Sequence, residues 1–256
     1  MEVILPNWTF PIPYSLTAPP GPRARRRSHH RRRFTAEIEE IRVCTNRTCR
    51  RQGSFQTLET LTGLAPANVA VKSCGCLGRC GAGPNLVALP DGVVVSHCGT
   101  AARAAEVMVA LYGGVWNSGD TKKSLEALAL RKKAEKEMEN GNFSEAELLL
   151  SQAIELKPTG GVHIIYKDRS IARLALHRYS EALEDAKEAL TLSTQYCEAY
   201  ICQGDAFLAM DQLDLAEKSY LTALDIDPSV RRSKSFKARV AKLQEKLTAG
   251  NMPACD

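Results

Sequence analysis

One pattern recurs through the second half of this 256-residue chain and restricts what it can fold into. NGNFSEAELLLSQAIELKP (140–158) aligns with LHRYSEALEDAKEALTLST (176–194) and then with MDQLDLAEKSYLTALDIDP (210–228), at offsets of 36 and 34. A fixed period of this size marks stacked supersecondary units that bury a continuous core only together. Small residues hold the anchor positions: Ala146, Ala182 and Ala216, then Ala153, Ala189 and Ala223 seven residues on. Pro158 and Pro228 end two of the repeats, while Thr194 stands at that place in the other, which follows a two-residue insertion. The repeats are predicted at 127–160, 163–196 and 197–230, with the whole array at 125–247. RRSKSFKARVAKLQEKL (231–247) predicts a closing helix with Phe236, Val240, Leu243 and Leu247 on one face and a basic, polar outer face, as a capping helix requires. Residues 248–256 read as a flexible tail.

The first half follows a different pattern. IEEIRV (38–43) and VAVKS (69–73) are predicted strands, with a short helix in GSFQTLETLTGL (53–64) between them. NLVALP and VVVSH flank Asp91-Gly92, a strong hairpin signal. AARAAEVMVALY (101–112) closes the unit as a helix, and GGVWNSGDTKKS (113–124) reads as a linker.

Cysteines fall in the loops between these elements. Cys44 and Cys49 follow the first strand as C-x4-C, and Cys76 and Cys80 follow the second as C-x3-C among Gly75, Gly78, Gly81 and Gly83. Four thiolates from two loops at adjacent strand ends can converge on one centre, as in the four-thiolate ligation of a 2Fe–2S cluster. Structural Zn²⁺ is the alternative, since two cysteine pairs also suit a tetrahedral site. Cys74 competes with Cys76, and Cys98 reads as a packed thiol. No C-x-x-C spacing occurs in the chain, which argues against thiol–disulfide oxidoreductase chemistry. Cys197 and Cys202 repeat the C-x4-C spacing, but positions i and i+5 of a helix lie about 140° apart, so they read as separate packing residues.

With its C-x4-C pair, its distant C-x3-C pair in a CLGRCGAGP context and the hairpin that follows, the 40–112 region resembles the thioredoxin-like 2Fe–2S ferredoxin family, which includes the small iron–sulfur subunit of respiratory complex I. That resemblance implies Cys44, Cys49, Cys76 and Cys80 as cluster ligands and a thioredoxin-like domain at 38–112. The repeats resemble tetratricopeptide-repeat (TPR) proteins, which implies an α-solenoid whose concave face takes a peptide or helix of another protein. The expected fold class is thus an α/β thioredoxin-like ferredoxin domain followed by an all-α TPR solenoid of three repeats and a capping helix. In chaperone-binding members a clamp of Lys and Asn residues grips an acidic C-terminal peptide. The corresponding positions here are Arg131, Glu135, Asp168, Glu198 and Cys202, of which only the first keeps the charge, so a chaperone C-terminal peptide is not expected. A different ligand is expected, with Arg131, Lys167, Ile171, Ile201 and Asp205 pointing into the groove.

Charge is unevenly distributed. Residues 1–36 hold seven Arg against the single acid Glu2, together with six Pro, whereas the remainder is close to neutral. A neutral body argues against a nucleic-acid-binding domain, and no stretch is long and apolar enough for a membrane-spanning helix. The Arg-rich, acid-poor start reads as a transit peptide, to the chloroplast in view of the resemblance, with the mitochondrion as the alternative. No nucleophile–base pair, phosphate loop or cofactor fingerprint appears, so no enzyme is expected. The expected function is an organellar 2Fe–2S protein that docks a partner through its repeats for electron transfer or redox sensing. The alternative is a non-redox TPR scaffold or assembly factor whose four-cysteine site is structural.

Overall fold

The computed structural model describes residues 37–112 and 118–250; the transit peptide expected at 1–36 and the end of the expected tail, 251–256, lie outside them. Strand β1 (Glu40–Cys44) is central in a four-stranded sheet of order β2-β1-β3-β4. It pairs in parallel with β2 (Ala70–Cys74), Glu40 opposite Ala70 through Cys44 opposite Cys74. On its other side it runs antiparallel to β3 (Leu86–Leu89), which turns through Pro90, Asp91 and Gly92 into β4 (Val93–Val95). Between the parallel strands lie a one-turn helix, α1 (Arg47–Arg51), and α2 (Ser54–Leu64). Helix α3 (Ala101–Leu111) starts at Thr100, whose hydroxyl accepts the Arg103 N–H at 3.2 Å and so satisfies one of the donors a helix start leaves free.

Alternation along the strands sends Ile41, Val43 and Leu86 inward against Leu61, Leu64, Met108 and Leu111 of the helices. Leu128, from the next helix, belongs to the same core. Among the described residues, none of the helices is long and apolar enough to cross a membrane.

Seven α-helices make up most of the remaining described residues: α4 (Ser118–Glu139), α5 (Phe143–Glu155), α6 (Val162–Ala175), α7 (Tyr179–Leu192), α8 (Cys197–Ala209), α9 (Leu213–Ile226) and α10 (Lys234–Gly250). They pair as three antiparallel hairpins, α4 with α5, α6 with α7 and α8 with α9, and α10 closes the stack. Helix α4 begins at Ser118, inside the stretch read as a linker; residues 113–117 lie outside the described set. The periodic alanines explain the packing. Ala146, Ala153, Ala182, Ala189, Ala216 and Ala223 have no exposed surface, because each sits where one helix touches its neighbour. Gly204 carries the same logic further, since a Cβ there would lie 2.5 Å from the Tyr220 ring of α9.

Each hairpin turns through one left-handed residue: Gly141 (φ 82°), His177 (φ 61°) and Asp211 (φ 61°). The next residue's N–H then reaches back to a carbonyl of the preceding helix, Asn142 to Glu137, Arg178 to Arg173 and Gln212 to Phe207, closing the helix C-terminus. Between hairpins, Gly161 (φ 72°) opens α6 and donates its N–H to the Ala65 carbonyl at 2.9 Å. The Gly160–Gly161 elbow thereby lies directly on the end of α2. A Cβ on Gly160 would stand 2.0 Å from the Leu64 carbonyl oxygen, and one on Gly161 2.1 Å from that of Gly63.

The expected fold class needs correction. The described residues are mostly helical, with repeat-type hairpins as the dominant architecture. The sheet of 40–95 does not stand as a thioredoxin-like ferredoxin domain: among the described residues, no group of three or more His, Cys, Asp or Glu side chains is placed to hold the metal centre on which that assignment rested.

Candidate functional site

Helices α4, α6 and α8 lie side by side, each the first of its hairpin, and form one face of the array. Arg131 of α4 is nearly buried there; its guanidinium donates to Glu135 at 2.9 Å, and its Nε lies 3.9 Å from Asp168 Oδ2 of α6. Neither that Nε nor that carboxylate oxygen has a hydrogen-bond partner among the described residues. Lys167 donates to the other oxygen of Asp168. Burial raises the Glu135 carboxyl above its ordinary range against the pull of Arg131. Burial, then the cations Arg131 and Lys167, holds the His163 imidazole down to about 4, and its ring meets Tyr196 edge-on at 5.0 Å.

The five groove residues expected from the sequence divide by surroundings. Arg131 and Lys167 meet at Asp168, and Ile171 is 38% exposed one turn further along α6. Ile201 packs against the last hairpin's core, and Asp205 is engaged, accepting from Tyr220 Oη at 2.7 Å and from Arg239 Nε at 2.8 and 2.7 Å.

A network missed in the sequence joins the first two hairpins. Buried Asp185 of α7 takes a two-pronged contact from Arg169 (2.9 and 2.7 Å) and a third from Arg173 at 3.0 Å. Arg173 also pairs with Glu147 of α5 at 2.9 Å. The signal was present as paired arginines one helical turn apart on α6 and an aspartate on α7, but only the fold sets them face to face.

The four expected metal ligands split into two pairs. Cys44 and Cys49 are each 1% exposed, whereas Cys76 and Cys80 are exposed, with sulfurs 3.5 Å apart. Burial pushes the Cys44 thiol up, but the N–H groups of Asn46 and Leu77 and the Cys49 thiol outweigh it, leaving the group below its ordinary value. Cys49 is raised, mainly by burial, and Asn85 Nδ2 points at its sulfur from 3.7 Å. Among the described residues, no group of three or more His, Cys, Asp or Glu side chains is placed to hold a metal ion. Cys197 and Cys202 are buried separately, the first donating to the Ala223 carbonyl.

No family model matches the chain. Its similarity to curated proteins comes at repeat-protein relatives. Heat shock protein STI1 of Saccharomyces cerevisiae is 32% identical over 104 residues, 41% of this chain and 18% of that protein. An Hsp70-Hsp90 organizing protein of Triticum aestivum is 34% identical over 109 residues, 43% of this chain and 18% of that protein. An Hsp70-Hsp90 organising protein of Plasmodium falciparum is 34% identical over 119 residues, 46% of this chain and 45% of that protein. The chain thus spans less than half the length of these relatives. Among solved structures, the first TPR domain of Spaghetti (RPAP3) bound to HSP90 peptide SRMEEVD is 24% identical, with a TM-score of 0.43 over 48% of this chain and 94% of that one.

These findings revise several expectations. The 2Fe–2S ferredoxin resemblance, with the electron-transfer function built on it, is overturned: the relatives are named as a heat shock protein and Hsp70–Hsp90 organising proteins, and the thiols form no metal-holding group among the described residues. The zinc alternative falls with the same geometry. The exclusion of a chaperone C-terminal peptide is overturned by the chaperone-organising relatives. Comparing five clamp positions was too narrow a test, because Lys167 brings a cation to Asp168 from a position outside that set. TPR repeats and protein binding are supported, and the expectation of a non-enzyme agrees with relatives named as a heat shock protein and Hsp70–Hsp90 organising proteins.

Proposed function

We propose that this chain is a non-catalytic adaptor that seats the acidic C-terminal peptide of an Hsp70- or Hsp90-class chaperone along the face of α4, α6 and α8. The observation that supports this reading is the likeness of the repeats to relatives named as Hsp70–Hsp90 organising proteins. Arg131 and Lys167 are the cations on that face that would meet the peptide's carboxylates, and both are occupied internally, by Glu135 and Asp168. An incoming carboxylate therefore has to displace an internal one, so binding is weakened by the very groups that keep the empty face neutral. Desolvated ion pairs of this kind set specificity and cost affinity when one partner is left unpaired.

The test is a fluorescence-anisotropy titration of the full chain with labelled SRMEEVD and with the same peptide amidated at its C-terminus. The free-acid peptide should bind and the amidated one bind more weakly. Arg131→Glu should abolish binding, and Glu135→Gln, which releases Arg131, should strengthen it. Indifference of binding to both substitutions, or no binding at all, would refute the proposal.

A further inference from the structure

Eight free cysteines are described, and burial separates them sharply. Cys44, Cys49, Cys98, Cys197 and Cys202 are buried, and burial pushes the thiols of Cys98 and Cys197 to about 11 and that of Cys202 to about 12. These three raised thiols stay protonated, and burial keeps all five out of reach of a soluble oxidant. Cys74, half-buried at the end of β2, is raised as well, mainly by burial. Of the eight, only Cys76 and Cys80 are exposed, and their sulfurs stand 3.5 Å apart.

We infer that Cys76 and Cys80 are a dithiol–disulfide pair, a redox-modification site on the loop between β2 and β3 that reacts with soluble disulfides such as oxidised glutathione. Bonding requires the sulfurs to close from 3.5 Å to about 2.05 Å. The loop has room for this movement, since nothing lies within 4 Å of a Cβ built at Gly75, Gly78 or Gly81. The pair is also polarised. The Gly78 N–H donates to Cys76 Sγ at 3.4 Å, and Arg79 adjoins Cys80 in the chain. With the Gly78 N–H on its sulfur, Cys76 is placed as the attacking group and Cys80 as the resolving one.

The chemistry balances in two exchange steps. Cys76 thiolate attacks one sulfur of oxidised glutathione, forming a mixed disulfide and expelling one glutathione thiolate. Cys80, having lost its proton to solvent, then attacks Cys76 Sγ and expels the second. The two cysteines lose two electrons and two protons, and one glutathione disulfide becomes two glutathione thiols.

The full chain carrying Cys255→Ser, which removes the thiol outside the described residues, is incubated with oxidised glutathione, alkylated and peptide-mapped by mass spectrometry. A Cys76–Cys80 disulfide with no glutathione retained is expected, formed without change in the far-ultraviolet circular dichroism. Cys80→Ser should trap glutathione on Cys76 instead, and both exposed positions should tolerate serine without unfolding. Glutathione that stays attached to Cys76 or Cys80 with both cysteines present, pairing of either with Cys74, or two thiols that remain reduced would each overturn the inference.

Discussion

Replacing Asp185 by alanine tests how far the second hairpin depends on its buried charge. The Asp185 carboxylate is 2% exposed and takes three contacts of 2.7–3.0 Å from Arg169 and Arg173. Removing one member of a buried, hydrogen-bonded ion pair costs about 3–5 kcal/mol, because the remaining charge is stranded. Here the stranding is partial: Arg169 keeps Ser151 Oγ at 3.1 Å and Arg173 keeps Glu147 at 2.9 Å. The lower end of the range, about 3 kcal/mol, therefore applies. For a folding unit of this size that corresponds to a fall in Tm of roughly 6–12 °C. Thermal and urea unfolding followed by circular dichroism at 222 nm would measure it, with Asp185→Leu/Arg169→Met as the companion. Apolar replacement of both partners should recover most of the loss, since the penalty lies in the unpaired charge and not in the missing bond. A loss below about 1 kcal/mol, typical of solvated surface pairs, or one that disappears in high salt, would refute the assignment of this network as desolvated.

Other predictions follow the same geometry. His177→Gly relieves a left-handed residue at the second hairpin turn but gives up the 2.7 Å hydrogen bond between His177 Nδ1 and Tyr179 Oη and adds backbone entropy to the unfolded chain. Stability read from the urea midpoint should therefore change by less than about 1 kcal/mol, and a larger fall would contradict the strain at this turn. Gly160→Ala drives a Cβ to 2.0 Å from the Leu64 carbonyl and should destabilise by about 3 kcal/mol, because backbone on both sides leaves little to yield; an unchanged Tm would contradict the contact. His163 is held at about 4 in the folded chain against an ordinary value of 6.5, so folding excludes its proton. Its contribution is complete above pH 6.5 and is lost as pH falls toward 4, so His163→Gln should flatten that part of the Tm–pH curve relative to the unaltered chain.

What could be read from the sequence, and what could not, follows from how locally each feature is determined. Helix contacts demand a small residue at a fixed place, so Ala146, Ala182 and Ala216 carried the repeat in the sequence itself. Asp91-Gly92 likewise marks a turn between β3 and β4 by local chemistry alone. The cysteines misled because spacing along a chain does not determine where sulfurs lie in space: the loop after β1 folds Cys44 and Cys49 inward, while the loop after β2 leaves Cys76 and Cys80 outside. The engagement of Asp205 was invisible for a related reason, since its partner Arg239 is 34 residues away and reaches it only when α10 folds back on α8. Likewise, the clamp comparison read Arg131, Glu135 and Asp168 as separate positions, but not that the fold sets the two carboxylates beside the Arg131 guanidinium.

Repeat arrays are normally modular, and whole units can be trimmed, added or exchanged because each meets only its neighbours. The Gly160–Gly161 elbow removes that freedom at the N-terminal end. Leu128 fills the sheet's core, Lys132 pairs with Glu59 at 3.0 Å, and the start of α6 is hydrogen-bonded to Ala65. The sheet therefore occupies the place of a terminal repeat, covering an apolar edge that a truncated array would expose to water. A fragment beginning at α4 would be a damaged protein and not a minimal one, so any loss of binding it showed would say nothing about the groove.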